Sequence, residues 1–374
     1  MTRQIYMDYN ATAPTRPEAI EAVAGCLVRA GNPSSVHRFG RLARRTVEEA
    51  REAVARAVGA RPAEILFVSG GSEANNLALK GSGAARVLAS AIEHDSVLAA
   101  APGERIPVDR EGVVDVAALE RMLSADPRPA LVSVMLANNE TGAIQPIADI
   151  VRIARARGAR VHCDAVQALG RIEFDLHALG VDFASLSAHK LGGPMGVGAL
   201  YVRDGLALSA QIVGGGQERG LRAGTPNLPG IVGFGVAARQ AHDDLEDMTR
   251  IRRLRDRLEA GIKRLQPSVR IFAEDVERLS NTSCFAVPGL EADTQVIALD
   301  LAGIAVSAGA ACSSGRVQSS HVLRAMGADA DLAGSAIRVS LGWQSEECDI
   351  DEFLTAWGAL LARHATDRPV ETAA

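Results

Sequence analysis

Three short motifs place polar side chains where an apolar strand ends, and the types of those side chains are chemically specific. Ser69-Gly70-Gly71-Ser72-Glu73 follows the apolar run 65–68 and opens a helical stretch, so unpaired N–H groups at a helix start meet a glycine turn. Such a place holds a phosphate. The motif matches neither of the glycine patterns that cradle nucleotides, so nucleotide binding gains no support from it. Asp164 ends the run 160–163, where a parallel strand delivers its side chain into the ligand crevice of an α/β sheet. Lys190 ends Ser187-Ala188-His189-Lys190 just before the turn Leu191-Gly192-Gly193-Pro194, a setting that solvation explains poorly. Taken singly, each has a plain alternative: a capped strand-to-helix turn, an Asp helix cap, a surface lysine. Together they are the parts for pyridoxal phosphate: an amine for its aldehyde, a carboxylate for its ring nitrogen and N–H donors for its phosphate.

Other residues can join the same crevice. His94, in Glu93-His94-Asp95 after another strand-like run, can stack on a ring and carry a proton, or be structural. Asn139, in Asn138-Asn139-Glu140-Thr141-Gly142, offers an amide at a further strand end, where turn chemistry is the alternative. Cys312 lies in Ser307-Ala308-Gly309-Ala310-Ala311-Cys312-Ser313-Ser314-Gly315, residues too small to pack a core and suited to presenting an accessible thiol nucleophile. Arg338 sits within the strand-like 336–340, where a guanidinium demands a carboxylate, from the protein or from a substrate. Cys26, Cys163, Cys284 and Cys348 show no metal or disulfide spacing and read as small buried hydrophobes.

The elements that must position these residues read as α/β. Short runs at 65–68, 85–89, 131–136, 160–163, 183–186 and 197–202 alternate with helical or loop segments, and several are continuously apolar, as strands buried on both faces are. A charged helical stretch over 236–265 connects to strand-like 282–287, 304–307 and 337–341 among further helices, an α+β pattern. With 374 residues, 47% hydrophobic, the chain suits two or three domain-sized units. A net charge of −5 and 3% aromatic residues give no general reason to expect nucleic acid. No apolar run approaches the roughly 18 to 20 residues of a membrane helix and no signal-peptide core follows the first residues, so a cytoplasmic protein is expected.

At this point the chain resembles the cysteine desulfurases of the NifS/IscS-like family, from Tyr6 to about Asp351. The resemblance rests on Tyr6-Met7-Asp8-Tyr9-Asn10-Ala11-Thr12, Gly31-Asn32-Pro33-Ser34-Ser35, SGGSEANN from Ser69, EHDSVL from Glu93, NNETG from Asn138, HCDAVQ from His162, SAHKLGGP from Ser187, GGGQERGLRAGT from Gly214 and SAGAACSSG from Ser307. It implies fold-type-I architecture: a large domain with a mostly parallel seven-stranded sheet flanked by helices, and a smaller α+β C-terminal domain. The implied divisions are an N-terminal segment, 1–15, packing on the small domain, a cofactor-binding domain, 16–255, and a small domain, 256–374, carrying the cysteine loop.

The resemblance also assigns roles. Lys190 would attach pyridoxal phosphate and later shuttle the α-proton; Asp164 would keep the ring nitrogen protonated; His94 would cover the ring; Gln167 would bond the ring oxygen. Gly71, Ser72, Ser187 and His189 would hold the phosphate, with Thr225 reaching in from the second subunit of a homodimer. Asn139 and Arg338 would bind the carboxylate of L-cysteine, and Cys312 would take its sulfur as a persulfide, with His94 or the substrate accepting the thiol proton. L-Alanine would leave, and the sulfur would go to an iron–sulfur scaffold or another acceptor protein. No metal site is implied, apart from Cys312 serving a partner's iron–sulfur cluster. Met195 and Pro226 stand where the family usually has Lys and Glu, and the tail is short beside relatives that dock a scaffold there. The rivals are a selenocysteine lyase, another lyase or aminotransferase of this fold, and a non-catalytic partner-binding relative; the intact Lys190, Asp164, His94 and Cys312 argue against the last.

Overall fold

The computed structural model describes residues 3–309 and 319–367. Its strands are β1 (Ile5–Tyr6), β2 (Ile65–Val68), β3 (Arg86–Ser90), β4 (Arg105–Ile106), β5 (Ala130–Ser133), β6 (Arg160–Asp164), β7 (Phe183–Ser187), β8 (Gly198–Val202), β9 (Arg270–Ile271), β10 (Thr282–Ala286), β11 (Ile304–Ala305), β12 (Ser307–Ala308) and β13 (Ala336–Ser340). Its helices are α1 (Pro17–Leu27), α2 (Arg38–Ala57), α3 (Gly71–Gly81), α4 (Asp95–Leu98), α5 (Val116–Ala125), α6 (Ile147–Ala156), α7 (Leu176–Leu179), α8 (Leu228–Asp243), α9 (Met248–Leu265), α10 (Ala292–Leu301), α11 (His321–Ala325), α12 (Ala330–Gly334) and α13 (Glu347–Asp367).

The principal sheet has seven strands in the order β2-β8-β7-β6-β5-β3-β4. β8 runs antiparallel to both neighbours, and every other adjacent pair is parallel. All strands but β8 therefore point one way, and their carboxyl ends open along one edge. The mostly parallel seven-stranded sheet expected from the sequence is present. Side chains alternate between its faces: Ile65 and Phe67 join one core with α2, α5, α6 and α8, while Leu66 and Val68 join another under α3. Both faces are thus dry, which is why the strands read as apolar runs rather than as alternating ones.

The second layer system is the four-stranded antiparallel sheet β12-β13-β10-β9. Its core gathers Phe285, Ile337, Phe353 and Trp357 with the α9 stripe Ile251, Leu254, Leu258 and Ile262. The Phe285 and Trp357 rings meet edge to face at 5.6 Å, and each such buried side chain contributes about 1.5–3 kcal/mol. The single helical stretch expected over 236–265 breaks at the acidic turn Asp244–Asp247. The physical reason is that Phe234, Ala237 and Ala241 of α8 serve the first core and α9 serves the second. Ile251 and Leu254, before the expected 255/256 boundary, lie on the same stripe as Leu258 and Ile262 after it.

The chain start links the two cores. β1 pairs in parallel with β11, and Ile5 and Met7 are buried in the small core. The strand then crosses to the large sheet, where the Ala13 N–H donates to the His189 carbonyl at 2.8 Å. Among the described residues, no helix is long and apolar enough to cross a membrane, and no cluster of His, Cys, Asp and Glu could hold a metal ion.

Candidate active site

A cavity of about 380 Å³ opens at the carboxyl ends of β2, β3, β5, β6 and β7, roofed by β12, β13 and the N-terminal segment. Each strand end contributes its own residues: Gly71 and Ser72 after β2, His94 after β3, Asn139 after β5, Asp164 and Gln167 from β6 onward, and Ser187, His189 and Lys190 from β7 onward. Ser307 and Arg338 come from the small domain. Residues spread from position 71 to position 190 thus meet because parallel strands deliver their ends to one edge. Thr225 is not among them; it lies exposed at a separate crevice with Ser69, Gly196 and Asn227. Cys312 lies outside the described residues.

Lys190 donates from Nζ to the carbonyls of Asn10 at 2.7 Å and Ala11 at 2.8 Å. Burial, then the positive charges of Arg171 and Arg338, bring its ammonium down to about 7, against the pull of Asp8 and Asp164. The amine is therefore available as a neutral nucleophile near neutral pH. Burial and the same cationic surroundings hold His189 at about 4, so its imidazole is neutral.

Asp164 accepts from Asn75 Nδ2 at 2.8 Å and from the Val166 N–H at 3.0 Å. Asn75 also donates to Ser96 Oγ, 2.9 Å away, and Ser96 Oγ lies 2.8 Å from His94 Nδ1. A relay of short contacts thus ties the Asp164 carboxylate to the His94 imidazole. The Ser96 backbone N–H donates to His94 Nδ1 at 3.1 Å. Since that N–H can only donate, Nδ1 carries the lone pair and the neutral ring holds its proton on Nε2. With its Nδ1 lone pair engaged by that N–H, His94 offers Nε2–H to the cavity as a hydrogen-bond donor.

Sequence reasoning missed several positioning residues. Asn10 accepts through its carbonyl from both Lys190 and Gln167, and its side chain donates to the Asn139 carbonyl and to Thr282 Oγ1. Asp8 pairs with Arg338 at 2.7 Å and accepts from Ser307 Oγ at 2.8 Å. The carboxylate that Arg338 demands is therefore supplied by the protein, while Arg338 still lines the cavity and its buried Nε has no hydrogen-bond partner among the described residues. A signal was present: Ile5, Met7 and Tyr9 are buried in alternation with exposed Tyr6 and half-buried Asp8, the period of a strand, although Asn10 beyond them is buried too. Arg171 carried no motif at all. Of the remaining cysteines, Cys163 and Cys284 are buried as expected, with burial pushing both thiols up, whereas Cys348 is exposed beside Arg3.

The donors fit pyridoxal phosphate. Asp164 shares the cavity with the neutral Lys190 amine, and the first N–H groups of α3, which have no intrahelical partners, begin at Gly71. A Cβ on Gly71 would come within 2.9 Å of Val166 Cγ2, so a side chain there would fill the cradle. The fully buried Asn75 Oδ1 has no hydrogen-bond partner among the described residues beside this space.

Comparison with known proteins points the same way. The family model for aminotransferase class V matches residues 5–353. A protein named cysteine desulfurase from Cereibacter sphaeroides is 44% identical over 94% of both chains. The solved structure of a NifS-like protein from Rickettsia africae superposes with a TM-score of 0.91 at 36% identity, covering 96% of this chain and all of that one. A structure described as SspA in complex with cysteine superposes with a TM-score of 0.77 at 32% identity, over 90% of this chain and 98% of the other.

Proposed function

The chain belongs to the class-V aminotransferase family and is a cysteine desulfurase acting on L-cysteine, and from that premise we propose how its own residues divide the work. The carrying observation is that Lys190, Asp164, Gln167, His94, Asn139 and Arg338, chosen from separate motifs, line one cavity. Pyridoxal phosphate, bound there, supplies an electron sink for the substrate's α-carbon. Lys190 Nζ attaches it, then takes and returns the proton at that carbon. Asp164, aligned by Asn75 and the Val166 N–H, keeps a proton on the ring nitrogen. Gln167 donates to the ring oxygen, and the α3 start with Ser72, Ser187 and His189 holds the phosphate.

Arg338 and Asn139 bind the substrate carboxylate, which fixes the direction of the side-chain sulfur. Cys312 takes that sulfur as a persulfide: an S–S bond forms, the C–S bond breaks, and the carbon left behind collects a proton to leave as L-alanine. The substrate accepts the Cys312 proton, which balances the proton that carbon collects, while His94 offers Nε2–H to the cavity as a hydrogen-bond donor. The sulfur then passes to an acceptor protein, an iron–sulfur scaffold or another sulfur user, in the cytoplasm.

We also assign a homodimer. Thr225 lies on the surface away from its own cavity, free to serve the phosphate of a second copy. The exposed apolar side chains Leu27, Val28, Val36 and Phe39 around a groove of about 760 Å³ between α1, α2 and α8 support the same reading. The test of the function is sulfide and alanine release from L-cysteine by cofactor-loaded protein with a reductant present. Equal release of both by wild type, and none by Lys190→Ala or Cys312→Ala, is expected; sulfide without alanine would sink the assignment.

A further inference from the structure

Arg171 is a buried cation whose surroundings do not pay for a charge. It is 7% exposed and pairs with no carboxylate among the described residues. Its guanidinium spends its donors on the Gln167 carbonyl at 2.9 Å, on Gln167 Oε1, on the Tyr9 carbonyl at 3.1 Å and on the Lys190 carbonyl at 3.1 Å. Burying a guanidinium against neutral acceptors is costly, and an apolar side chain would serve stability better. All of these acceptors belong to segments that enter the cavity.

The effect on Gln167 is directional. With Oε1 held by Arg171, the amide nitrogen is the end left to the other side, where it donates to the Asn10 carbonyl at 3.0 Å and has its second hydrogen to spare. Turned over, the amide would present an acceptor, which repels an anionic ring oxygen. The same guanidinium seats the backbone of Lys190 and faces its amine from behind.

We propose that Arg171 is a positioning residue of the cofactor site, fixing the Gln167 amide as a donor into the cavity while its bond to the Lys190 carbonyl seats that lysine beside its positive charge. The inference rests on the cofactor reading above. The charged groups facing Lys190 are Arg171 and Arg338, which oppose its protonation, and Asp8 and Asp164, which favour it; His189 beside it is neutral. After burial, Arg171 makes the largest contribution to lowering the Lys190 ammonium.

Two variants test this. Arg171→Met removes charge and fork; Arg171→Lys keeps a charge but cannot bridge Gln167, Tyr9 and Lys190 as the planar fork does. The first readout is the pH dependence of acylation of Lys190 in the cofactor-free protein, followed by peptide mass spectrometry. The Met variant should shift the midpoint upward by about one pH unit, a roughly fivefold slower labelling at pH 7, and the Lys variant should shift it little. The second readout is the rate of pyridoxal phosphate release into buffer, expected to rise at least about fivefold in both variants as the Gln167 donor is lost. An unmoved midpoint in a folded Met variant overturns the charge role. A folded Lys variant that keeps the cofactor as tightly as wild type overturns the positioning role, even if the Met variant does not fold. Because the labelling uses neither cofactor nor cysteine, it judges Arg171 even where the desulfurase reading fails.

Discussion

The wall of the cavity supplied by the large sheet and the wall supplied by the small domain bear comparable polar chemistry on different foundations. On the first, each side chain follows the end of its own strand, and sheet pairing sets its place: Asp164 is in register with Ser185, and Lys190 follows β7 by a single tight turn. On the second, Arg338 lies mid-strand in β13 and is aimed by Asp8, 330 positions away, which is itself held by Ser307. Backbone ladders make the first wall tolerant of side-chain changes. The second is held by the Asp8–Arg338 pair and by the bond Arg338 donates to the Asn139 carbonyl at 3.0 Å, and single removals should distort it.

The comparison breaks first at Asp164. Asp164→Asn keeps the shape and its bond from Asn75, so the protein should fold, but the charge held near the ring nitrogen is gone and kcat/KM should fall on the order of 10³-fold. Steady-state alanine release measures it. A variant that instead loses cooperative unfolding would show that this wall, too, depends on side-chain charge.

Asp8→Asn probes the other wall and should act in the opposite sense, on stability and binding before chemistry. Removing the carboxylate leaves Arg338, 4% exposed, without its anion. Breaking a buried pair in this way costs about 3 kcal/mol, read by urea unfolding. The misaimed guanidinium should raise the KM for L-cysteine roughly tenfold while kcat changes less. Unchanged stability and KM together would mean that Asn139 and the β13 backbone aim Arg338 unaided.

The same contrast explains what could be read from the sequence. Gly71, His94, Asn139, Asp164 and Lys190 were legible because each follows a short apolar run, so a local motif also states a location. Six of the large sheet's strands followed from the same runs, the count of seven came from the family resemblance, and β4, only two residues long, gave no run to read. Asp8, Asn10 and Arg171 were not legible as site residues, since their roles arise only when the N-terminal segment crosses between the cores. The break between α8 and α9 was hidden because no glycine or proline interrupts the chain from 236 to 260, and the change of core marks it only in the fold.

A pH experiment sharpens the first wall. Lys190 titrates near its ordinary 10.5 in the unfolded chain and near 7 in the folded cofactor-free protein. Between those values the unfolded chain binds the extra proton, so raising the pH stabilises the fold. The slope cannot exceed about 1.4 kcal/mol per pH unit from this one group. Chemical denaturation of the cofactor-free protein from pH 7 to pH 10 should show stability climbing, and Lys190→Met should flatten the climb. A slope unchanged in that variant would place the titration on another buried group.

The smallest expected effect concerns the phosphate cradle, where the backbone itself is the ligand. Gly71 has an ordinary helical φ, so alanine there carries no left-handed strain and gains the helix preference of alanine over glycine, up to about 1 kcal/mol. Its Cβ, however, would stand 2.9 Å from Val166 Cγ2, and the branched valine has little rotamer freedom with which to retreat. Gly71→Ala should therefore leave the melting temperature near or slightly above wild type while weakening pyridoxal phosphate about threefold to tenfold, because relief of the contact pushes either Val166 or the α3 start into the cavity. Val166→Ala removes the opposing methyl groups, so the double variant should recover most of the lost affinity. The coupling in that cycle is the diagnostic quantity. If Gly71→Ala and Val166→Ala instead add independently, the glycine is not there to make room for the cofactor, and the large-domain wall owes less to backbone alone than the strand ends imply.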